Sequence, residues 1–129
     1  MRILNREAFM RCPEGTVFFD YKPHHFGSLS VKTCGPKPLK SDGHLGDFYR
    51  IDVDTLLNVG EHGKGESCGD SNEALSLMER ALAGERVDLH FDGDSRDGIF
   101  DEEALFAVLD PEDVQRLIAV LTNAPKETP

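Results

Sequence analysis

The chain of 129 residues has no tryptophan, only two tyrosines and three cysteines, and little positive charge beyond residue 50. Each shortage removes a class of protein. Cys12, Cys34 and Cys68 are odd in number and widely spaced, which speaks against a disulfide framework and predicts reduced thiols in or near the core. A zinc site could be drawn from these cysteines with His24, His25, His44 and His62, but no pair has the short C-x₂₋₄-C spacing that such sites use. Long hydrophobic runs are missing too. The longest, Ala104 to Leu109, falls far short of the roughly 20 apolar residues a membrane helix needs. The first residues, Met1 to Arg11, are broken by charges and do not read as a secretory signal. One cytoplasmic domain over residues 1–123 with a polar tail at 124–129, and no membrane partner, is the expectation.

What the chain has in excess is carboxylate, and unevenly. Residues 1–50 carry 8 Lys/Arg against 5 Asp/Glu, whereas residues 51–129 carry 6 against 19. A surface this negative repels nucleic acid and anionic lipid and attracts cations and basic protein surfaces. The densest stretch runs from Asp92 to Glu103 and holds Asp92, Asp94, Asp97, Asp101, Glu102 and Glu103 with one arginine, Arg96.

Two chemistries compete for that stretch. Closely spaced carboxylates on a turn can present hard oxygen ligands to Ca²⁺ or Mg²⁺, and Asp92, Asp94 and Asp97 would be the metal ligands. Against the EF-hand pattern, Asp92, Asp94 and Glu103 fall at ligand positions, but Arg96 occupies another and Asp97 stands where the sharp-turn glycine belongs. The plainer alternative is a solvated hairpin connection from Phe91 to Ile99, with Asp97-Gly98 as the turn pair. A third use is as a protein-binding edge. Asn at positions 92, 94, 97 and 101 is expected to leave the fold intact.

No catalytic constellation emerges. The loop Gly60 to Gly69 is glycine-rich, but Lys64 is followed by Gly65 and the G-x₄-G-K-[ST] order of a phosphate loop is absent. His24-His25, between Lys22-Pro23 and Phe26-Gly27, is the best imidazole candidate and reads as a surface turn. No cofactor is called for.

Periodicity predicts α+β architecture: a small antiparallel, partly barrel-like sheet packed with two amphipathic helices. Asn5 can cap a short helix to Arg11. Strand alternation places Val17, Phe19 and Tyr21, then Leu29 and Val31, then Tyr49, Ile51 and Val53 inward. Asp70, Ser71 and Glu73 offer a helix start, Ala74, Leu75, Leu77, Met78, Ala81 and Leu82 an apolar stripe, and Gly84 a stop. Val87 to Phe91 alternates as a strand, and Leu105 to Leu109 favours a buried strand. Asp110-Pro111-Glu112-Asp113 opens a last helix with Val114, Leu117, Ile118 and Leu121 on one face.

Four fragments, Pro13-Glu14-Gly15-Thr16-Val17-Phe18, Phe26-Gly27-x-Leu29-x-Val31-Lys32, Arg96-Asp97-Gly98-x-Phe100-Asp101 and Leu105-Phe106-Ala107-Val108, resemble small acidic proteins of tailed phages and prophages. That resemblance implies a non-enzymatic protein that binds and inhibits a host protein, defence complexes among them, in the host cytoplasm. With the charge it points to a partner that handles nucleic acid and so has a basic surface. Asp92, Asp94, Asp97, Asp101, Glu102 and Glu103 are the candidate contacts. A divalent-metal module or small metal-dependent enzyme on the same segment is the alternative.

Overall fold

The computed structural model describes residues 1–37, 46–53, 71–88 and 94–123, and side chains of the helix at 71–82 only from residue 75. In chain order the elements are β1 (Arg2–Asn5), α1 (Arg6–Met10), β2 (Val17–Lys22), β3 (His25–Lys32), β4 (Tyr49–Asp52), α2 (Ser71–Leu82), β5 (Ser95–Arg96), β6 (Leu105–Val108) and α3 (Pro111–Thr122). The architecture is α+β. The strands form one antiparallel sheet of six in the order β1-β6-β2-β3-β4-β5. It is open, with β1 and β5 at its edges, so the barrel-like closure expected from its curvature does not occur.

Local chemistry explains most boundaries. Asn5 accepts a hydrogen bond from the Ala8 N–H and caps α1, as its position in the sequence predicts. Strands β2 and β3 close a hairpin with Lys22 opposite His25, and His24 takes a left-handed φ of 66° at its tip. Asp110 caps α3 in a capping box with Asp113, Pro111 follows in the first turn, and the Met1 ammonium bonds both carboxylates. Gly84, at φ 100°, ends α2, with the Glu85 N–H returning to the Arg80 carbonyl.

Four rings, Phe9, Phe18, Phe48 and Phe106, form the core with Met10 and Val108. Phe9 stacks on Phe106 at 4.0 Å between centroids and meets Phe18 and Phe48 edge-on. The five-residue α1 therefore supplies the centre of the core, because it turns Phe9 and Met10 onto one face of the sheet.

That choice reverses the expected strand phase. Phe18, Ser30, Lys32 and Arg50 are the buried residues of β2, β3 and β4, while Val17, Phe19, Tyr21, Leu29, Val31, Ile51 and Val53 are half-buried and Tyr49 is exposed. Register confirms the pairing on one face: Phe18 lies opposite Ser30 and Val108, and Lys32 opposite Arg50. Polar residues occupy the inner face because their charges are matched there, as described below.

Two further corrections concern the helices. Among the described side chains of the α2 stripe, Leu75, Met78 and Ala81 are exposed, Leu82 is 90% exposed and Leu77 is half-buried, so none is fully buried in the core. In α3, Val114 and Leu117 are half-buried, Ile118 and Leu121 are exposed, and no residue is fully buried. The strand expected over Val87 to Phe91 is irregular backbone at Val87 and Asp88, and its remainder lies outside the described residues. Leu105–Val108 is the strand that its apolar run predicts, whereas β1 carries no sequence alternation that announces it. Among the described residues no helix is long and apolar enough to cross a membrane.

Candidate functional site

The inner face of the sheet ends in a buried charge network built on two arginines. The Arg50 guanidinium donates to Asp52 through Nε, to both Asp20 oxygens, to Asp97 at 3.2 Å and to the Ser30 hydroxyl at 2.7 Å. It also stacks over Phe18, 4.9 Å from the ring centroid. Burial opposes the charge of Arg50, but Asp20 and Asp52 outweigh it and hold the group firmly protonated. Arg6, 1% exposed, donates through Nη2 to the Gly46 carbonyl at 2.8 Å and lies 3.8 Å from Asp97 through Nη1. Its Nε–H is buried and has no hydrogen-bond partner among the described residues.

Asp97 thus sits between two guanidiniums with its side chain 6% exposed. Burial raises its pKa above the ordinary 3.8, and the opposing pull of Arg50, the Ile99 N–H and Arg6 does not cancel that rise. Its neighbours in the acidic segment are anchored as well. Asp94 accepts from the Thr33 hydroxyl at 3.0 Å. Asp47 takes the Gly98 N–H at 3.0 Å and the Arg96 Nε. Desolvation acts against the Asp47 charge, yet these donors win and hold its pKa below 3.8. Gly98 makes the turn with φ 71°, a left-handed value that glycine adopts without strain.

From Asp94 to Gly98 the segment is therefore pinned to the rest of the fold rather than freely solvated. It divides the predicted contact residues. Asp94 and Asp97 are held by protein partners, whereas Asp101, Glu102 and Glu103 are exposed. Asp92 lies outside the described residues. Among the described residues no group of three or more His, Cys, Asp or Glu side chains is placed to hold a metal ion. The charge that Asp97 would bring to a cation is already engaged by Arg6 and Arg50.

Next to Asp97 the loop presents two apolar side chains, Ile99, 72% exposed, and Phe100, 44% exposed. Phe100 has a φ of 56°, a left-handed backbone that costs an ordinary L-residue roughly 1–2 kcal/mol. The Arg96 guanidinium packs over its ring at 5.4 Å and holds it in place.

Beneath this loop opens a cleft of about 480 Å³. Arg6, Asp97 and Phe106, all buried, form its depth, and Asp101 and Glu103 stand at its exposed mouth. Asp20, Lys22 and His25 also line it, and Gly27 lets β3 approach β2 closely at its edge, because a Cβ there would lie 3.0 Å from the Cβ of Asp20. His24 is exposed at the hairpin tip, apart from the lining. Cys12 and Cys34 are free thiols near the buried Lys32, while Cys68, His44, His62, the loop at 60–69 and the helix start at Asp70 lie outside the described residues.

Residue-type reasoning missed Arg6, Arg50, Ile99 and Phe100. The arginines gave no signal because a lone Arg on a strand or helix reads as solvated. The only hint of Phe100 was a bulky residue two places after Asp97-Gly98. Comparison with family models, curated protein sequences and solved structures returns no match for this chain.

Proposed function

We propose that the protein is a non-enzymatic binder that engages a basic protein surface through the rim formed by Ile99, Phe100, Asp101, Glu102 and Glu103. The observation that carries this reading is Phe100. An exposed phenylalanine in left-handed backbone opposes both solubility and local conformational preference, and such outliers gather at functional positions. Two apolar anchors ringed by carboxylates match the anatomy of a protein interface, where a buried aromatic supplies affinity and rim charges supply rate and orientation.

The excess of acid after residue 50 sets the partner's sign, and a protein whose own function is to grip nucleic acid has the surface required. The resemblance to acidic phage proteins supports a host protein in the host cytoplasm as that partner and inhibition as the outcome. The alternative of a metal module finds no comparable support in a segment whose Asp97 is committed to arginine.

The test is capture from host lysate at low salt with wild type and with Ile99→Ser/Phe100→Asn. A stoichiometric basic protein retained by wild type and lost by the double variant is expected. No such partner, or equal retention by both proteins, overturns the reading.

A further inference from the structure

The shape of the 99–103 rim is fixed from both ends, and the upstream hold comes from a residue outside it. Asp47 precedes the buried Phe48 and has its side chain only 10% exposed. Three successive residues of the loop bond back to this pair. Arg96 donates through Nε to Asp47 Oδ2, the Asp97 N–H to the Phe48 carbonyl at 2.9 Å, and the Gly98 N–H to both Asp47 oxygens at 3.0 Å. Downstream, Asp101 accepts the Glu103 N–H through Oδ1 at 2.9 Å and the Ala104 N–H through its carbonyl at 3.2 Å, which closes a turn.

Phe100 is caught between these two holds with its φ of 56°. A bulky residue keeps such a backbone only where its surroundings over-determine it. Asp47 contributes twice. It fixes the turn at Gly98, and it aims Arg96, whose guanidinium covers the Phe100 ring at 5.4 Å.

We infer that Asp47 is a positioning residue for the rim: by holding Arg96 and the Gly98 N–H it keeps Phe100 in the left-handed conformation that presents its ring, so the rim meets its partner preformed. This rests on the proposed binding role of the rim. Asp47 lies outside the rim, so its effect on affinity is conformational rather than a lost contact. Without the hold, Phe100 relaxes to an ordinary backbone and the competent shape becomes the minor one, depopulated about five- to thirtyfold. Arg96 and Gly98 are both exposed, so Asp47→Ala leaves their donors to water and the fold persists.

The experiment is a double-mutant cycle of Asp47→Ala and Phe100→Asn, read first in urea denaturation. Phe100→Asn relieves strain in the wild-type background and should raise the midpoint there. With Asp47→Ala the strain is already released, so the same substitution should leave the midpoint unchanged. Equal shifts in both backgrounds would overturn the assignment, because a residue that only supports the fold gives additive effects. The second reading is the affinity of Asp47→Ala for the basic protein captured by wild type, expected to be about five- to thirtyfold weaker. Wild-type affinity in that variant would also overturn the assignment. If wild type captures no partner, the rim reading fails, while the urea cycle still decides whether Asp47 holds Phe100.

Discussion

At the scale of single residues, Phe100 is where stability and the proposed function part. Its backbone geometry suits asparagine far better, so Phe100→Asn should stabilise the fold by about 0.5–1 kcal/mol after the lost contact with Arg96 is deducted. Urea denaturation measures this. A variant that is steadier and yet loses its partner marks a residue kept for binding, whereas a destabilised variant would make Phe100 structural. Asp97 offers a complementary case. Asparagine retains the oxygen that Arg50 needs and avoids the cost of a buried charge, so Asp97→Asn should stay within about 1 kcal/mol of wild type. Asp97→Ala removes the acceptor from between both arginines and should cost about 3 kcal/mol.

The two anchored aspartates also answer acid in opposite ways. Asp47, with its pKa lowered, contributes stability that is present above 3.8 and lost as pH falls through its depressed value. Asp97, with its pKa raised, takes up its proton in the folded state first; that contribution is full below 3.8 and is lost as pH rises through its elevated value. Carboxyl carbon NMR should therefore show Asp97 titrating above Asp47 in the intact fold. The reverse order would contradict the burial assigned to Asp97.

At the scale of elements, α1 depends on a residue from a distant strand. The Lys32 ammonium, buried over the Phe9 ring at 5.6 Å, donates to the carbonyls of Met10 at 3.0 Å, Cys12 at 2.6 Å and Gly35 at 3.3 Å. It satisfies the C-terminal carbonyls of the helix and ties them to β3. Burial lowers its pKa, and among the described residues its hydrogen-bond partners are these three carbonyls. Lys32→Met keeps the bulk but removes the donor from the Cys12 and Gly35 carbonyls, while Met10 still accepts from the Lys37 N–H, and should cost about 2–3 kcal/mol in urea denaturation. A loss well under 1 kcal/mol would mean that the carbonyls find other donors.

Lys32 also shows why the fold was only partly legible. Capping at Asn5 and Asp110, the stop at Gly84 and the Leu105–Val108 strand follow from local rules and appear where those rules place them. The strand phase does not. Leu29 and Val31 look like the inner face until Ser30 and Lys32 are seen satisfied beneath α1 by groups remote in sequence. Hydrophobic alternation cannot reveal a polar face whose partners lie 20 residues away, as Arg50 does from Ser30. The candidate site was legible as an acidic stretch, but not in its division into pinned and exposed carboxylates, which depends on Arg6, Arg50 and Thr33.

At the scale of the molecule, the open sheet encloses one small aromatic core and concentrates its matched charges on one side of it. Beside those charges lie the cleft and the 99–103 rim, where negative charge remains exposed together with two apolar anchors. Steering by such a rim acts over a Debye length, so it should strengthen encounter in dilute salt and fade as salt rises. On the proposed reading, charge sets approach while Ile99 and Phe100 set residence.

The most direct measurement is the ionic-strength dependence of partner capture by wild type and by Asp101→Asn/Glu102→Gln/Glu103→Gln, from about 50 mM to about 500 mM salt. The expected result is a basic protein held at one-to-one stoichiometry by wild type in low salt, released as salt rises, with weaker retention and a flatter salt dependence in the variant. Capture by the variant equal to wild type at every salt concentration would contradict a binding role for the rim.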